Sequence, residues 1–176
     1  MPAFDVRTLS LQDALDLAIA IEEEAQARYD GFAKITGGRY DGDASDMFRQ
    51  MSSYESRHRE DLATRRRHLF GDAPRRITAD DLDDVEAPHR GSPRVFMSAR
   101  EALEVALASE EKARDFFTDA VGQVEDREVR ALFQDLVHEE EKHVRLVRER
   151  LDALPQGPGP DVEEDEADAP GSDPGN

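Results

Sequence analysis

Two four-residue segments, Glu55-Ser-Arg-His58 and Glu140-Glu-Lys-His143, each place a carboxylate and an imidazole three residues apart. A further glutamate precedes each of them: Glu22 lies 33 residues before Glu55, and Glu110 lies 30 before Glu140. On a helix, residues i and i+3 project from one face, so each Glu/His pair can reach a single ion. Four carboxylates and two neutral imidazoles are hard and borderline donors, a set that suits Fe(II) or Mn(II). Gathered inside one helical bundle, they make a carboxylate-bridged two-metal centre, whose chemistry is redox. Without metal, four glutamates in one core are costly, because desolvation and mutual repulsion both oppose ionisation. Two divalent cations balance their formal charge.

The elements that must position these groups read as four helices. Ser10 is the expected N-cap of the first, with Asp13 in its first turn. Leu15, Ala18, Glu22, Ala25, Tyr29 and Phe32 then recur at spacings of three and four, as far as Lys34 and before Gly37-Gly38. Glu22 sits in this stripe, whereas Glu23 and Glu24 point away. The second helix is expected after Asp43-Ala-Ser-Asp46, with a stripe of Met47, Met51, Glu55, His58 and Leu62 that Gly71 and Pro74 end. Residues 72–97 show no sustained period, which predicts a crossover running the length of the bundle, with a short helix around Ala79 to Val85. The third helix opens on a capping box, Ser98-Ala-Arg-Glu101, carries Leu103, Ala106, Glu110, Ala113, Phe117 and Ala120, and is expected to end at a Gly122 cap. The fourth spans residues 127–154 along Leu132, Leu136, Glu140, His143 and Val147, and Pro155 stops it.

The two helix pairs repeat. A shift of 88 places Glu22 on Glu110, Ala25 on Ala113 and Tyr29 on Phe117; a shift of 85 places Phe48 on Phe133, Glu55 on Glu140 and His58 on His143. The fold class read from this is an all-α four-helix bundle of two repeated helix pairs, with the long crossover between helices two and three. The repeat also favours Glu140 over its neighbour Glu139, which lies four residues before His143. A third match to the spacing, Glu86-Ala-Pro-His89, contains a proline and lies in the aperiodic crossover. His68 and His138 fall outside the repeated positions and are expected on the surface, as is the Arg65-Arg66-Arg67 run, solvated or paired with acidic neighbours. Tyr29, two turns beyond Glu22, is either a hydrogen-bond partner for a ligand carboxylate or a core residue.

Composition narrows the function classes. The chain has no cysteine, which excludes disulfides, thiolate zinc sites, iron–sulfur clusters and a rubredoxin-type iron site within it. Net charge is -18, and -11 over residues 1–154, which argues against a nucleic-acid partner. No apolar signal core and no run of 18 apolar residues occurs, so no membrane partner and a cytoplasmic location are expected. Residues 155–176 hold seven acidic side chains and no basic one among prolines and glycines, the composition of a disordered tail following a domain of residues 1–154. Phe4, Val6, Val95 and Phe96 lie outside the regular helices and suit either an interface or the bundle ends.

The segment Glu22-Glu-Glu-Ala25-Gln-Ala-Arg-Tyr29, with Glu55-x-x-His58 and Glu140-x-x-His143 at these intervals, resembles the rubrerythrin branch of the ferritin-like superfamily over residues 10–150. The resemblance implies two iron ions, with manganese as the alternative metal. Glu55 and Glu140 would bridge them, Glu22 and Glu110 would be terminal ligands, and His58 and His143 would bind one ion each. It further implies hydrogen peroxide reduction at a diferrous centre and a homo-oligomer. An external electron donor is then required, because the rubredoxin domain common in that family needs cysteines. Where the family commonly carries an additional Glu, one turn before the third-helix ligand, this chain has Leu107. The symmetric site that remains is closer to a ferroxidase centre. The expected function is therefore a di-iron peroxidase; the alternatives are a ferroxidase or iron-handling protein using dioxygen or peroxide, and a helical interaction module with a vestigial site.

Overall fold

A computed structural model describes residues 4–36, 43–82 and 97–154. Four long helices account for most of them: α1 Leu11–Thr36, α2 Ala44–Phe70, α3 Ala99–Gln123 and α4 Arg127–Ala153. No strand occurs among the described residues. Each helix begins on a side-chain cap that satisfies otherwise orphaned N–H groups. Ser10 and Asp13 cap α1 reciprocally, the Asp13 N–H donating to Ser10 Oγ (3.2 Å) and the Ser10 N–H to Asp13 Oδ2 (3.3 Å). Asp43 accepts from the Asp46 N–H, so α2 starts three residues earlier than the sequence suggests. Ser98 and Glu101 form the expected box, and Asp126 accepts from both Glu128 and Val129. At the end of α2, Gly71 turns the chain with φ 58°, a conformation that costs a side-chain-bearing residue.

Helix directions follow from which ends touch. Ser45 at the start of α2 donates to the Ala33 carbonyl near the end of α1, while Arg66 near the end of α2 reaches Asp16 near the start of α1. Arg100 of α3 donates to the Leu151 and Leu154 carbonyls at the end of α4. Each pair is thus antiparallel. The Glu125 N–H, just past α3, donates to the Arg7 carbonyl just before α1, so α2 ends at one end of the bundle and α3 begins at the other, about 40 Å away for helices of this size. Of the short helix expected near Ala79–Val85, a 3-10 turn at Ala79–Asp81 is seen, with Leu82 as its C-cap; residues 83–85, with His89, Val95 and Phe96, lie outside the described residues, as does the segment 155–176.

The core forms two apolar clusters. One holds Leu15, Ile19, Phe117, Leu132 and Phe133, with Phe4 and Val6 packed against it; these two residues therefore cover a bundle end. The other holds Tyr29, Phe48, Met51, Leu103 and Val147. Burying each large side chain contributes about 1.5–3 kcal/mol. Gly122 does not cap α3, contrary to expectation. The helix continues to Gln123, and Val124, 2% exposed in the first cluster, follows as the cap, its N–H bonding the Ala120 carbonyl. The first half of α1 is buried all round, from Ala14 to Glu22, rather than along one stripe. The start of the crossover lies over its outer face: Gln12 donates to the Pro74 carbonyl, and Ile77 joins the first cluster.

Within that cover lies an ion pair that sequence spacing does not reveal. Asp16, 0% exposed, accepts from the Arg66 guanidinium and from the Arg76 N–H (2.9 Å), while Arg66 also donates to the Ala73 carbonyl (2.9 Å). Of the Arg65–Arg67 run, only Arg66 is buried. Removing one member of such a pair strands a buried charge. Arg66→Met is expected to lower unfolding free energy by about 3–5 kcal/mol in urea denaturation. Arg67→Met, exposed on the same helix, should change it by about 0.5 kcal/mol or less. Equal effects would show that the pair does not anchor the crossover.

Candidate metal centre

Between the two apolar clusters lies a polar layer. Glu22, Glu55, Glu110 and Glu140 are 0–2% exposed and His143 is 6% exposed. His58 is less enclosed, its side chain 19% exposed. Each helix contributes through the repeat: Glu22 from α1, Glu55 and His58 from α2, Glu110 from α3, Glu140 and His143 from α4. Alanines frame the α1 and α3 carboxylates one turn away on each side, Ala18 and Ala25 about Glu22, Ala106 and Ala113 about Glu110, all buried.

The two imidazoles stack, with ring centroids 4.6 Å apart and planes 11° from parallel. His143 Nδ1 lies 3.0 Å from Glu110 Oε2 and 3.8 Å from both Glu55 Oε1 and Glu140 Oε2. His58 Nδ1 lies 3.8 Å from Glu22 Oε1. Two donors about 2.1 Å from one ion and at right angles sit about 3 Å apart, so these separations are of the size that a shared ion requires. Two triads bring their donor atoms within 4.8 Å of one another: Glu110, Glu140 and His143, and Glu55, His58 and His143. The first is the second-half set expected from the repeat. In the other, His143 stands where Glu22 was expected, and Glu22 instead faces His58.

The donor chemistry fits a pair of divalent ions. Glu22 Oε1 and His58 Nδ1 are buried and make no hydrogen bond among the described residues, although they face each other. They form an ion pair across 3.8 Å when His58 is protonated, and a cation between the two would take the place of that proton. Glu110, by contrast, is held on both oxygens: the Tyr29 hydroxyl donates to Oε1 at 2.7 Å, and His143 Nδ1 meets Oε2. Tyr29 is thus both a core residue and the hydrogen-bond partner of a layer carboxylate, the one in the opposite half. Its repeat equivalent, Phe117, has no hydroxyl to offer Glu22, so the halves are chemically unequal.

Burial acts to lower the His58 pKa, but the Glu22 carboxylate, beyond hydrogen-bond length, and the charges of Glu139 and Glu110 outweigh it and raise the value above 6.5. Glu139, the rival to Glu140, is 41% exposed and takes the Lys142 ammonium at 2.6 Å, which lowers its pKa. It lies outside the buried layer, with Oε2 3.8 Å from His58 Nε2. Sequence reading missed this outer contact, which joins α4 to α2 and has no local signature. His68 and His138 are exposed, as expected.

The chain matches the family model for rubrerythrin over residues 13–95 and that for the ferritin-like domain over residues 66–156. Its fold is similar to the crystal structure of an uncharacterised conserved protein from Magnetospirillum magnetotacticum MS-1, with a TM-score of 0.66 and 25% identity, over 85% of this chain and 99% of that one. No curated protein matches it. A four-helix bundle with a central Glu/His layer, matched by these two models, makes the chain a rubrerythrin-like member of the ferritin-like superfamily, with no rubredoxin domain in its 176 residues.

Proposed function

We propose that the protein is a non-haem di-iron oxidoreductase that reduces hydrogen peroxide, re-reduced by an external electron donor. The observation that carries this reading is the buried Glu22–His58 pair, two facing donor atoms with no hydrogen bond, inside a layer of four carboxylates. A ferrous pair, when bound, supplies the two electrons that reduction of peroxide to water requires. Glu55 and Glu140, on the two histidine-bearing helices, would hold the ions together with Glu22, Glu110, His58 and His143. The Tyr29 hydroxyl fixes the orientation of Glu110 and can hold a proton beside it. The apolar clusters on both sides lower the polarity around the layer, which strengthens the charge interactions within it. An external donor is needed because the chain has no cysteine with which to build its own electron-transfer iron site.

A second reading, ferroxidase and iron handling, is favoured by Leu107. That side chain packs against the second apolar cluster, where the rubrerythrin resemblance leads one to expect another carboxylate. Anaerobic loading with Fe(II), followed by stopped-flow oxidation with peroxide and dioxygen in parallel, separates the two. The proposal predicts two irons per chain and oxidation by peroxide faster by about tenfold or more. Comparable or faster oxidation by dioxygen would favour the ferroxidase.

Metal and proton compete for His58. Because its pKa is raised in the metal-free protein, the proton stabilises that state fully below 6.5, and the benefit is lost as pH rises through the raised value. Metal binding must displace it. Apparent Fe(II) affinity under anaerobic titration should therefore fall as pH drops toward 6.5 and below, with proton release on loading. A flat pH profile would place His58 outside the ligand set.

A further inference from the structure

The route by which metal reaches the layer can be read from its uneven burial. The side chains of Glu22, Glu55, Glu110 and Glu140 are 0–3% exposed and that of His143 8%, against 19% for His58. His58 forms part of the wall of a groove of about 260 Å³ between α2 and α4. The charged lining of that groove is Asp61, Arg65, Asp135 and Glu139; with the Lys142 ammonium on Glu139 Oε1 at 2.6 Å, three carboxylates stand against two cations. Arg65 approaches Asp135 only to 3.9 Å. Glu139 turns Oε2 toward His58 Nε2 at 3.8 Å, while Glu22 Oε1 stands 3.8 Å from Nδ1 on the other edge of the ring. The imidazole therefore stands between an outer carboxylate and an inner one.

Two other approaches among the described residues oppose a cation. On the His143 side of the stacked rings, Tyr54 lies against His143 (centroids 5.8 Å), with the Arg57 guanidinium 5.1 Å from its ring and Arg150 donating to its hydroxyl at 3.3 Å. A larger cavity of about 670 Å³ carries Arg59, Arg66, Arg67 and Arg75, and no ligand of the layer lines it. Charge and access thus favour the same opening. The half it reaches is the one whose Glu22 oxygen has no hydrogen bond.

We propose that divalent metal enters through the α2–α4 groove, drawn in by Asp61, Asp135 and Glu139 and passed by way of His58 to Glu22. This rests on the metal-centre reading above. Clefts lined by one sign of charge raise the arrival rate of the opposite ion by 10- to about 1000-fold. The carboxylates of the groove should therefore govern the rate of loading and leave the final occupancy alone.

The test uses Co(II), which does not turn over and whose visible absorption reports binding, mixed with the full chain in stopped flow at low and high salt. The variant Asp61→Asn/Asp135→Asn/Glu139→Gln is compared with Glu104→Gln/Glu149→Gln/Asp152→Asn, which removes the same charge from exposed positions elsewhere. The groove variant should load about tenfold more slowly and lose most of its salt dependence, still reaching two Co(II) per chain, with the control within about twofold of wild type. If wild type binds two Co(II) but the groove variant loads at the wild-type rate, or the control slows equally, the route is overturned and the metal centre stands. If wild type binds fewer than two, the metal-centre reading itself fails.

Discussion

Four carboxylates share one buried layer of this bundle, and the rest of the structure answers to that fact. Desolvation and mutual repulsion make such a layer unfavourable unless positive charge fills it. The fold does not relieve the problem by exposing the glutamates. It encloses them between two apolar clusters, surrounds Glu22 and Glu110 with alanines, and aims two imidazoles at them. An apolar bundle of the same helices would be simpler to build, so the layer is the part of the sequence that packing alone does not explain. Two divalent cations would turn its largest cost into its strongest interaction.

The duplication that supplies the carboxylates and imidazoles of the layer does not make the halves equal. Tyr29 and Phe117 are repeat equivalents that differ by one hydroxyl, and that hydroxyl crosses the bundle to Glu110. Glu110 is consequently held on both oxygens, whereas Glu22 faces an imidazole at a distance too long for a hydrogen bond. His143 is enclosed and belongs to both triads; His58 opens onto a groove. Glu110 is thus fixed before metal arrives, whereas Glu22 Oε1 and His58 Nδ1 make no hydrogen bond and lie on the side of the groove. A small difference in sequence becomes a functional polarity across a nearly symmetric site.

Much of this was legible in the sequence because its signals are local or periodic. Stripe spacing located Glu22 among apolar residues and set Glu23 and Glu24 aside; both prove only partly buried, whereas Glu22 is fully so. The Ser98–Glu101 box and the repeat needed no tertiary information. What spacing missed depends on contacts far apart in the chain. Asp16 and Arg66 are separated by 50 residues, and nothing nearby marks them as a buried pair. All-round burial of the first half of α1 follows from the crossover folding over it, which an amphipathic stripe does not foretell. Gly122 looked like a stop signal, yet the helix runs past it because burying Val124 is worth more than an early cap. Glu139 was weighed only as an inner ligand; its outer contact with His58 depends on how α4 lies beside α2.

The central claim is that the buried layer holds two ions, one against each half. Anomalous diffraction at the iron edge, from crystals loaded anaerobically with Fe(II), tests it most directly. The account predicts two peaks in the layer: one among Glu22, Glu55, His58 and Glu140, the other among Glu110, Glu140, His143 and Glu55. A single peak, or iron bound only outside the layer at carboxylates such as Glu139, would contradict it.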